Sequence, residues 1–534
     1  MPRIAFIDTE VDSKSKKILE AGCIFEQNRL NTPNIDQFSR VIHSADFICG
    51  HNIVDHDLRF LKISGAAINW DKFQIIDTLY LSPLLFPRRP YHHLVKDDKL
   101  CPEHLNNPLN DSIKAKELFQ DEEDAFHDLD YRLKKIFYLL LSSSIYYKGF
   151  FHFIGYSLPT GSNSAVEMIH EYFKGKICHN KELENFVSRT PVELAFCLSL
   201  IDCDDRFSVT PRWVLMNFPE VERIMYQLRS NPCLQGCDYC NQHLDAVLNL
   251  ERIFGFSAFR SYAGEPLQER AVNAAINNKS LLAVFPTGGG KSLAFQLPAL
   301  VAGEFSRALT VVISPLQSLM KDQVDNLENF GITDAATING LLDPIERSVA
   351  LKRVEGLEEK LANILYISPE ALRSKTITNL LLGRKIARFV IDEAHCFSSW
   401  GQDFRVDYLY IGEFIKNLQE EKGLEYPIPV SCFTATAKRQ VIDDIRDYFR
   451  EKLGLELELY TTSTGRTNLQ YRIRNSKDEN QKYIDLRNIL LEKECPTIVY
   501  VSRTAIADKL AKRLCEDGFD AAPFHGKMDP ADKK

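Results

Sequence analysis

The sequence predicts an α/β protein of several domains whose C-terminal half is built on a parallel sheet. Three observations carry that expectation. From about residue 251, short β-branched or aromatic runs recur, each followed by a polar turn and usually a helical stretch. A Gly-rich turn closes the first of these runs, and a pair of carboxylates closes the fourth. At the other end of the chain, a short strand-like run leads directly into Asp8 and Glu10.

Taken in order, Arg3–Ile7 reads as a strand, Asp57–Ile63 as the start of a helix and Asp111–Gln120 as another helix. Residues 126–230 are mostly helical by periodicity, as in Tyr131–Leu141 and Val192–Leu200. Pro211 and Asn231-Pro232 interrupt that pattern. Beyond it, Leu281–Phe285, Leu309–Ile313, Ile364–Ile367, Phe389–Ile391, Val430–Phe433 and Thr497–Val501 read as strands. Their near-continuous apolar character suits strands covered on both faces. The expected divisions are 1–125, a helical connector at 126–230, a Cys/His linker at 231–250, a nucleotide-binding lobe at 251–468 and the start of a second lobe at 469–534.

Composition narrows the function without choosing it. With 534 residues there is room for roughly three or four domains. A net charge of −8 excludes a basic sheath, so any nucleic-acid contact must come from local patches. The first residues lack a signal-peptide pattern, and no uncharged apolar stretch approaches the ~18 residues of a membrane span. No membrane partner is expected. Apart from one cluster the cysteines are scattered, which suits a reducing compartment, the cytoplasm or the nucleus.

The strongest chemical signal is Pro286-Thr287-Gly288-Gly289-Gly290-Lys291-Ser292. Glycines let backbone N–H groups wrap phosphate oxygens, and a helix starting near Lys291 adds its N-terminal dipole. Lys291 is placed to reach the β- and γ-phosphates of ATP, and the Ser292 hydroxyl to bind Mg²⁺. The strict pattern has Gly six residues before the Lys, where this chain has Phe285. A hundred residues on, Asp392-Glu393-Ala394-His395 ends another strand. There Asp392 can hold Mg²⁺ and Glu393 can orient the attacking water.

These residues resemble superfamily-two DEAH-box helicases, and specifically the RecQ family, over about 254–534. Phe259-Arg260 and Gln268 resemble the family's adenine-reading motif, so Arg260 and Gln268 are expected at the nucleotide with Thr287 to Ser292. Ser314 to Gln323, which includes Lys321, and Ser368-Pro369-Glu370 are similar to its DNA-facing motifs. Cys396-Phe397-Ser398-Ser399-Trp400-Gly401-Gln402-Asp403-Phe404-Arg405 resembles its aromatic-rich loop, with Gln402 where the family usually has His. In such a loop Phe397, Trp400 and Phe404 can stack on bases while Arg405 holds a phosphate. Thr434-Ala435-Thr436-Ala437 resembles the motif that links hydrolysis to DNA movement, and Arg466-Thr467-Asn468-Leu469 the entry into a second RecA-like lobe.

Thr497–Val501, a helix over Ala505–Leu514 and Ala521–Phe524 resemble the first βαβ of that second lobe. Residues 469–534 are too few for a covered sheet of about five or six strands. The expectation is a lobe completed elsewhere, with weak ATP turnover by this segment alone.

Asp8 and Glu10, two apart on a strand, lie on one face. With Asp57, in Gly50-His51-Asn52-Ile53-Val54-Asp55-His56-Asp57, and Asp111, they resemble the DEDD 3′→5′ exonucleases of ribonuclease-H-like fold, over about 1–125. That resemblance implies two Mg²⁺ or Mn²⁺ ions about 3.5–4 Å apart. The family's general base, a His five or a Tyr four residues before the last Asp, is replaced here by Asn106 and Asn107.

Cys233, Cys237, Cys240 and His243 follow a metal-ligand spacing. Three thiolates and an imidazole suit tetrahedral Zn²⁺. The same three-cysteine spacing also serves [4Fe–4S] clusters, and free thiols are the third reading. The whole reads as an ATP-dependent 3′→5′ DNA helicase with a fused 3′→5′ exonuclease, acting on single-stranded DNA and duplexes with a 3′ overhang. The alternatives are a non-catalytic nucleic-acid-binding front module, or an ATP-switched scaffold without unwinding.

Overall fold

The computed structural model describes residues 2–12, 14–64, 68–89, 92, 107–159, 164–181, 183–205, 208–262, 264–340, 342–358, 360–398, 406–435, 438–461, 470–493, 495–526 and 528. It divides into two compact units, Met1–Thr464 and Gly465–Lys534.

The first unit opens with β1 (Ile4–Val11), β2 (Ile18–Phe25), β3 (Asn28–Thr32), β4 (Phe47–Gly50) and β5 (Gln74–Asp77). They form one sheet in the order β3-β2-β1-β4-β5. The β1–β2 and β2–β3 pairs are antiparallel, and β1–β4 and β4–β5 are parallel. Along β1 the side chains alternate, as a strand requires. Ala5 and Ile7 enter a core with Phe38, Ile48 and Leu58. Phe6 enters the opposite core, where its ring meets Phe119 at 5.9 Å. Asp8 and Glu10 continue the face of Phe6.

Phe119 belongs to helix Pro108–Asp128, which covers that face. The helix runs through residue 125, and its core continues without a break through Phe137, Phe150, Leu198 and Leu228. The helices after residue 126 therefore share a core with the first sheet rather than building one of their own. Helices Tyr131–Leu141 and Pro191–Asp202 belong to this layer.

The C-terminal half of the same unit holds β6 (Leu281–Val284), β7 (Leu309–Ile313), β8 (Ala335–Ile338), β9 (Ile364–Ile367), β10 (Ile386–Ile391), β11 (Val430–Thr434) and β12 (Glu458–Thr461). Their order is β12-β6-β11-β10-β7-β9-β8, and every pairing is parallel. Leu282, Val311 and Phe389 face one core, and Leu281, Val312 and Val390 the other. Burial on both faces explains why these strands read as continuous apolar runs.

In the second unit, helices Glu479–Lys493 and Thr504–Glu516 form. The expected strand Thr497–Val501 does not, and Ala521–Phe524 is likewise irregular. Ile498 is 80% and Tyr500 90% exposed, with no partner strand beside them among the described residues. A β-propensity needs a neighbouring strand to satisfy its backbone. Among the described residues no helix is long and apolar enough to cross a membrane.

Candidate nucleotide, metal and nucleic-acid sites

A parallel sheet brings the loops that follow its strands to one edge. The Gly-rich turn follows β6, Asp392-Glu393 follows β10, Ser314 follows β7, Ser368 follows β9 and Ala435 follows β11. Five of the motifs legible in the sequence thus share the C-terminal edge of one sheet.

The turn itself needs its glycines. Gly290 adopts φ +78° and caps helix Lys291–Ser306, a conformation that side-chain-bearing residues rarely take. Gln268 is fully buried behind it and donates from Nε2 to the Gly290 carbonyl at 2.9 Å. Its Oε1 accepts the Arg260 N–H at 2.8 Å, and Arg260 Nη1 donates to the Gly288 carbonyl at 2.5 Å. Tyr262 OH donates to the Gly289 carbonyl, and its ring stacks on Phe285 at 4.9 Å. Phe285, where the strict pattern has glycine, is therefore a fully buried platform under the turn.

Lys291 Nζ lies 3.2 Å from Glu393 Oε1. Glu393 Oε2 lies 3.2 Å from His395 Nδ1, which also contacts Thr434 Oγ1 at 3.1 Å. The hydrogen bond from His395, reinforced by Lys291, holds the Glu393 carboxyl below its ordinary range. Burial pushes the Asp392 carboxyl the other way, opposed by the Lys291 charge. Glu393 itself sits at φ +47°, a strained backbone for a side-chain-bearing residue. The residues fit a Mg²⁺-bound nucleoside triphosphate. Lys291 and the turn's N–H groups suit the phosphates, and Ser292 and Asp392 suit the ion.

Of the expected DNA contacts, Lys321 is exposed on helix Gln317–Asn329. Phe397 is only 5% exposed. Its ring packs on Tyr408, Tyr448 and Phe449 at 4.7–5.3 Å, so it is a core residue and not an open stacking surface. Trp400, Phe404, Arg405 and the segment Arg466 to Leu469 lie outside the described residues.

At the front sheet, Asp8 pairs with Gly22 and Glu10 with Glu20 across the β1–β2 ladder. Asp57, 1% exposed, accepts both the N–H and the hydroxyl of Thr9 on Oδ1, each at 2.7 Å. Asp57 is thereby tied to the strand segment that carries Asp8 and Glu10, although among the described residues no three of Asp8, Glu10, Asp57 and Asp111 come together closely enough to hold one ion. Asp111 lies in the first turn of helix Pro108–Asp128. Its neighbour Ser112 donates to the Gly22 carbonyl at 3.2 Å, which brings that turn over Asp8's ladder partner. A Cβ at Gly22 would stand 2.2 Å from the Pro108 carbonyl carbon, so only glycine admits this approach.

Asp77 was not singled out in the sequence. Its buried carboxylate accepts the N–H groups of Asn52, Val54 and Leu79 at 2.8–3.0 Å and shapes the loop that precedes Asp57. Burial pushes its carboxyl up to about 7 against those three donors. Asn107, at the Tyr-base position, is engaged as a helix cap, its Oδ1 accepting from Leu109 and Asn110. Asn106 lies outside the described residues.

The cysteine cluster differs from the expected set. The sulfurs of Cys178, Cys233, Cys237 and Cys240 all lie within 4.8 Å of one another. His243 is not among them. Its ring packs on Tyr239 and Phe305 at 4.9 and 5.0 Å. Cys178 gave no spacing signal because it arrives from a distant part of the chain. His395 was visible as the residue closing Asp-Glu-Ala-His, although its link to Thr434 was not.

Residues 265–445 match the DEAD/DEAH box helicase family, so this half of the first unit carries a RecA-like helicase domain. The chain is 33% identical over 285 residues to the probable ATP-dependent DNA helicase RecS of Bacillus subtilis, an alignment covering 53% of each. It is 36% identical over 289 residues to the ATP-dependent DNA helicase RecQ of Synechocystis, covering 53% of this chain and 56% of that protein. The chain spans about half the length of these curated relatives. Among solved structures, Dbp5 of S. cerevisiae bound to RNA and ADP BeF3 aligns at 18% identity and a TM-score of 0.39, covering 54% of this chain and 68% of that one.

Proposed function

We propose that this chain is the ATP-binding part of a RecQ-type 3′→5′ DNA helicase whose front domain trims DNA 3′ ends. The observation that carries the reading is the chain of contacts Lys291–Glu393–His395–Thr434 at one edge of the parallel sheet. Lys291 and the glycine turn position the triphosphate, Ser292 and Asp392 hold Mg²⁺, and Glu393 orients the attacking water. When bound, Mg²⁺ neutralises the charge that develops on the phosphoryl oxygens. His395 passes the state of Glu393 to Thr434, at the head of the loop through which hydrolysis is coupled to DNA. Lys321, with Trp400, Phe404 and Arg405, supplies contacts to single-stranded DNA. The names of the curated relatives support DNA as the track.

In the front domain Asp8, Glu10, Asp57 and Asp111 hold two divalent ions for hydrolysis of a 3′-terminal phosphodiester. The sheet order β3-β2-β1-β4-β5 and the approach to β2 of the helix turn that carries Asp111 support this. A second reading, a front domain that binds DNA without cutting it, is favoured by the capping role of Asn107. Degradation of 3′-labelled DNA in Mn²⁺ that vanishes in Asp8→Ala/Glu10→Ala establishes the nuclease. DNA binding without degradation in either protein establishes the reader. For the motor, ATP-dependent unwinding of a duplex with a 3′ overhang that is lost in Lys291→Ala is the expected result. ATP hydrolysis indifferent to DNA, with no unwinding, would favour an ATP-switched scaffold.

A further inference from the structure

We infer that Cys178, Cys233, Cys237 and Cys240 form a structural Zn²⁺ site that staples the helical connector to the linker leading into the nucleotide-binding half. All four sulfurs lie within 4.8 Å of one another. A tetrahedral zinc with Zn–S bonds of about 2.3 Å sets its sulfurs about 3.8 Å apart. Cys237 Sγ and Cys178 Sγ are 3.8 Å apart, far beyond the ~2.05 Å of a disulfide. All four are free cysteines. An iron–sulfur cube stands between its cysteines and would hold them wider than a single ion does.

The surroundings are those of a sulfur-ligated ion. Asn180 Nδ2 donates to Cys233 Sγ at 3.3 Å, and the Cys233 N–H reaches Cys240 Sγ at 3.5 Å. Such N–H···S contacts orient thiolate ligands and offset their charge. Gly236, at φ +66°, turns the chain between Cys233 and Cys237. Cys178 is fully buried and Cys240 is 5% exposed. Four protein ligands leave no open position, which is the pattern of a structural rather than a catalytic zinc.

The site stands at a joint. The Cys178 N–H donates to the Leu228 carbonyl at 2.9 Å, and Tyr239 OH to the Arg229 carbonyl at 2.7 Å. Arg229 in turn donates to Lys176 O and to Phe305 O, at the far end of the helix that starts at Lys291. The ion closes a loop between the connector and the linker, and this joint supports the rear of the nucleotide-binding helix.

The test is the metal content of the full chain, purified with a thiol reductant and without chelator, by mass spectrometry. One zinc per chain is expected. Cys178→Ser should lower it at least tenfold, whereas His243→Ala should leave it unchanged. If Cys178→Ser fails to fold, Co²⁺ added to chelator-treated wild type and His243→Ala still decides. Both should develop the sulfur-to-cobalt charge-transfer and visible bands of a tetrahedral tetrathiolate. Iron in place of zinc, zinc retained in Cys178→Ser, or a metal-free chain that gives no Co²⁺ spectrum would each overturn the assignment.

Discussion

At the scale of single residues, the nucleotide site is set by how Glu393 is held. His395 donates to one carboxylate oxygen and Lys291 lies against the other. Both favour the ionised form, so its folded-state value is depressed. The stabilisation from this group is present above the unfolded value and is lost as pH falls through the depressed one. ATP hydrolysis limited by an ionised Glu393 should therefore hold its rate through the weakly acidic range. Removing the donor in His395→Ala should move the acid limb of the pH–rate profile to higher pH. An unmoved limb would mean that His395 does not tune this carboxylate. Lys291 and Glu393 were singled out because phosphate and Mg²⁺ chemistry demands fixed residue types at fixed local spacing, and the structure brings the two within 3.2 Å. Phe397 was misread for the opposite reason. An aromatic in a Gly- and Ser-rich stretch looks exposed until Tyr408, Tyr448 and Phe449, which come later in the chain, close around it.

At the scale of elements, strands with two buried faces were the most legible, because parallel pairing leaves them apolar throughout. β7 and β9 were anticipated to the residue, whereas β8 and β12 were not seen in advance. β8 is only Ala-Ala-Thr-Ile, and β12 is an edge strand with three exposed residues, so neither carries a strong pattern. Thr497–Val501 had the pattern and lacks the partner. The packing of helix Pro108–Asp128 on β2 was hidden as well, since it depends on the missing side chain at Gly22. Gly22→Ala would press its Cβ into the Pro108–Leu109 backbone. We expect a loss of about 1–3 kcal/mol in urea denaturation of the chain. Displacement of Asp111 should also reduce 3′-end degradation while ATP hydrolysis is unchanged. Wild-type stability in Gly22→Ala would mean that the helix does not sit this close.

At the scale of the whole first unit, the joints are made by pairs far apart in sequence, which no local pattern reveals. Glu222, on connector helix Glu220–Arg229, meets Lys422 of the RecA-like half at 2.7 Å, with side chains 3% and 2% exposed. Lys422 Nζ also donates to the Arg384 carbonyl at 3.0 Å. Glu222→Ala leaves a buried ammonium without its carboxylate and should cost about 3–5 kcal/mol. Glu222→Leu/Lys422→Met, which removes both charges, should recover most of that loss. Equal losses in the single and double variants, read from denaturation midpoints, would show that the pair is not what joins the two halves. The shared core from Phe6 to Leu228 has the same consequence for domain reading. The boundary near residue 125 follows the extent of the exonuclease-like resemblance, yet it cuts a helix whose two ends serve one core.

The central claim, that the Gly-rich turn and Asp392-Glu393 form one ATP-hydrolysing site, is tested most directly by MgATP binding and single-turnover hydrolysis with single-stranded DNA present. Wild type should bind and hydrolyse. Lys291→Ala should lose at least tenfold in affinity. Glu393→Gln should bind as wild type does and hydrolyse about 10²–10⁴-fold more slowly. Unchanged affinity in Lys291→Ala, or wild-type hydrolysis in Glu393→Gln, would contradict the account.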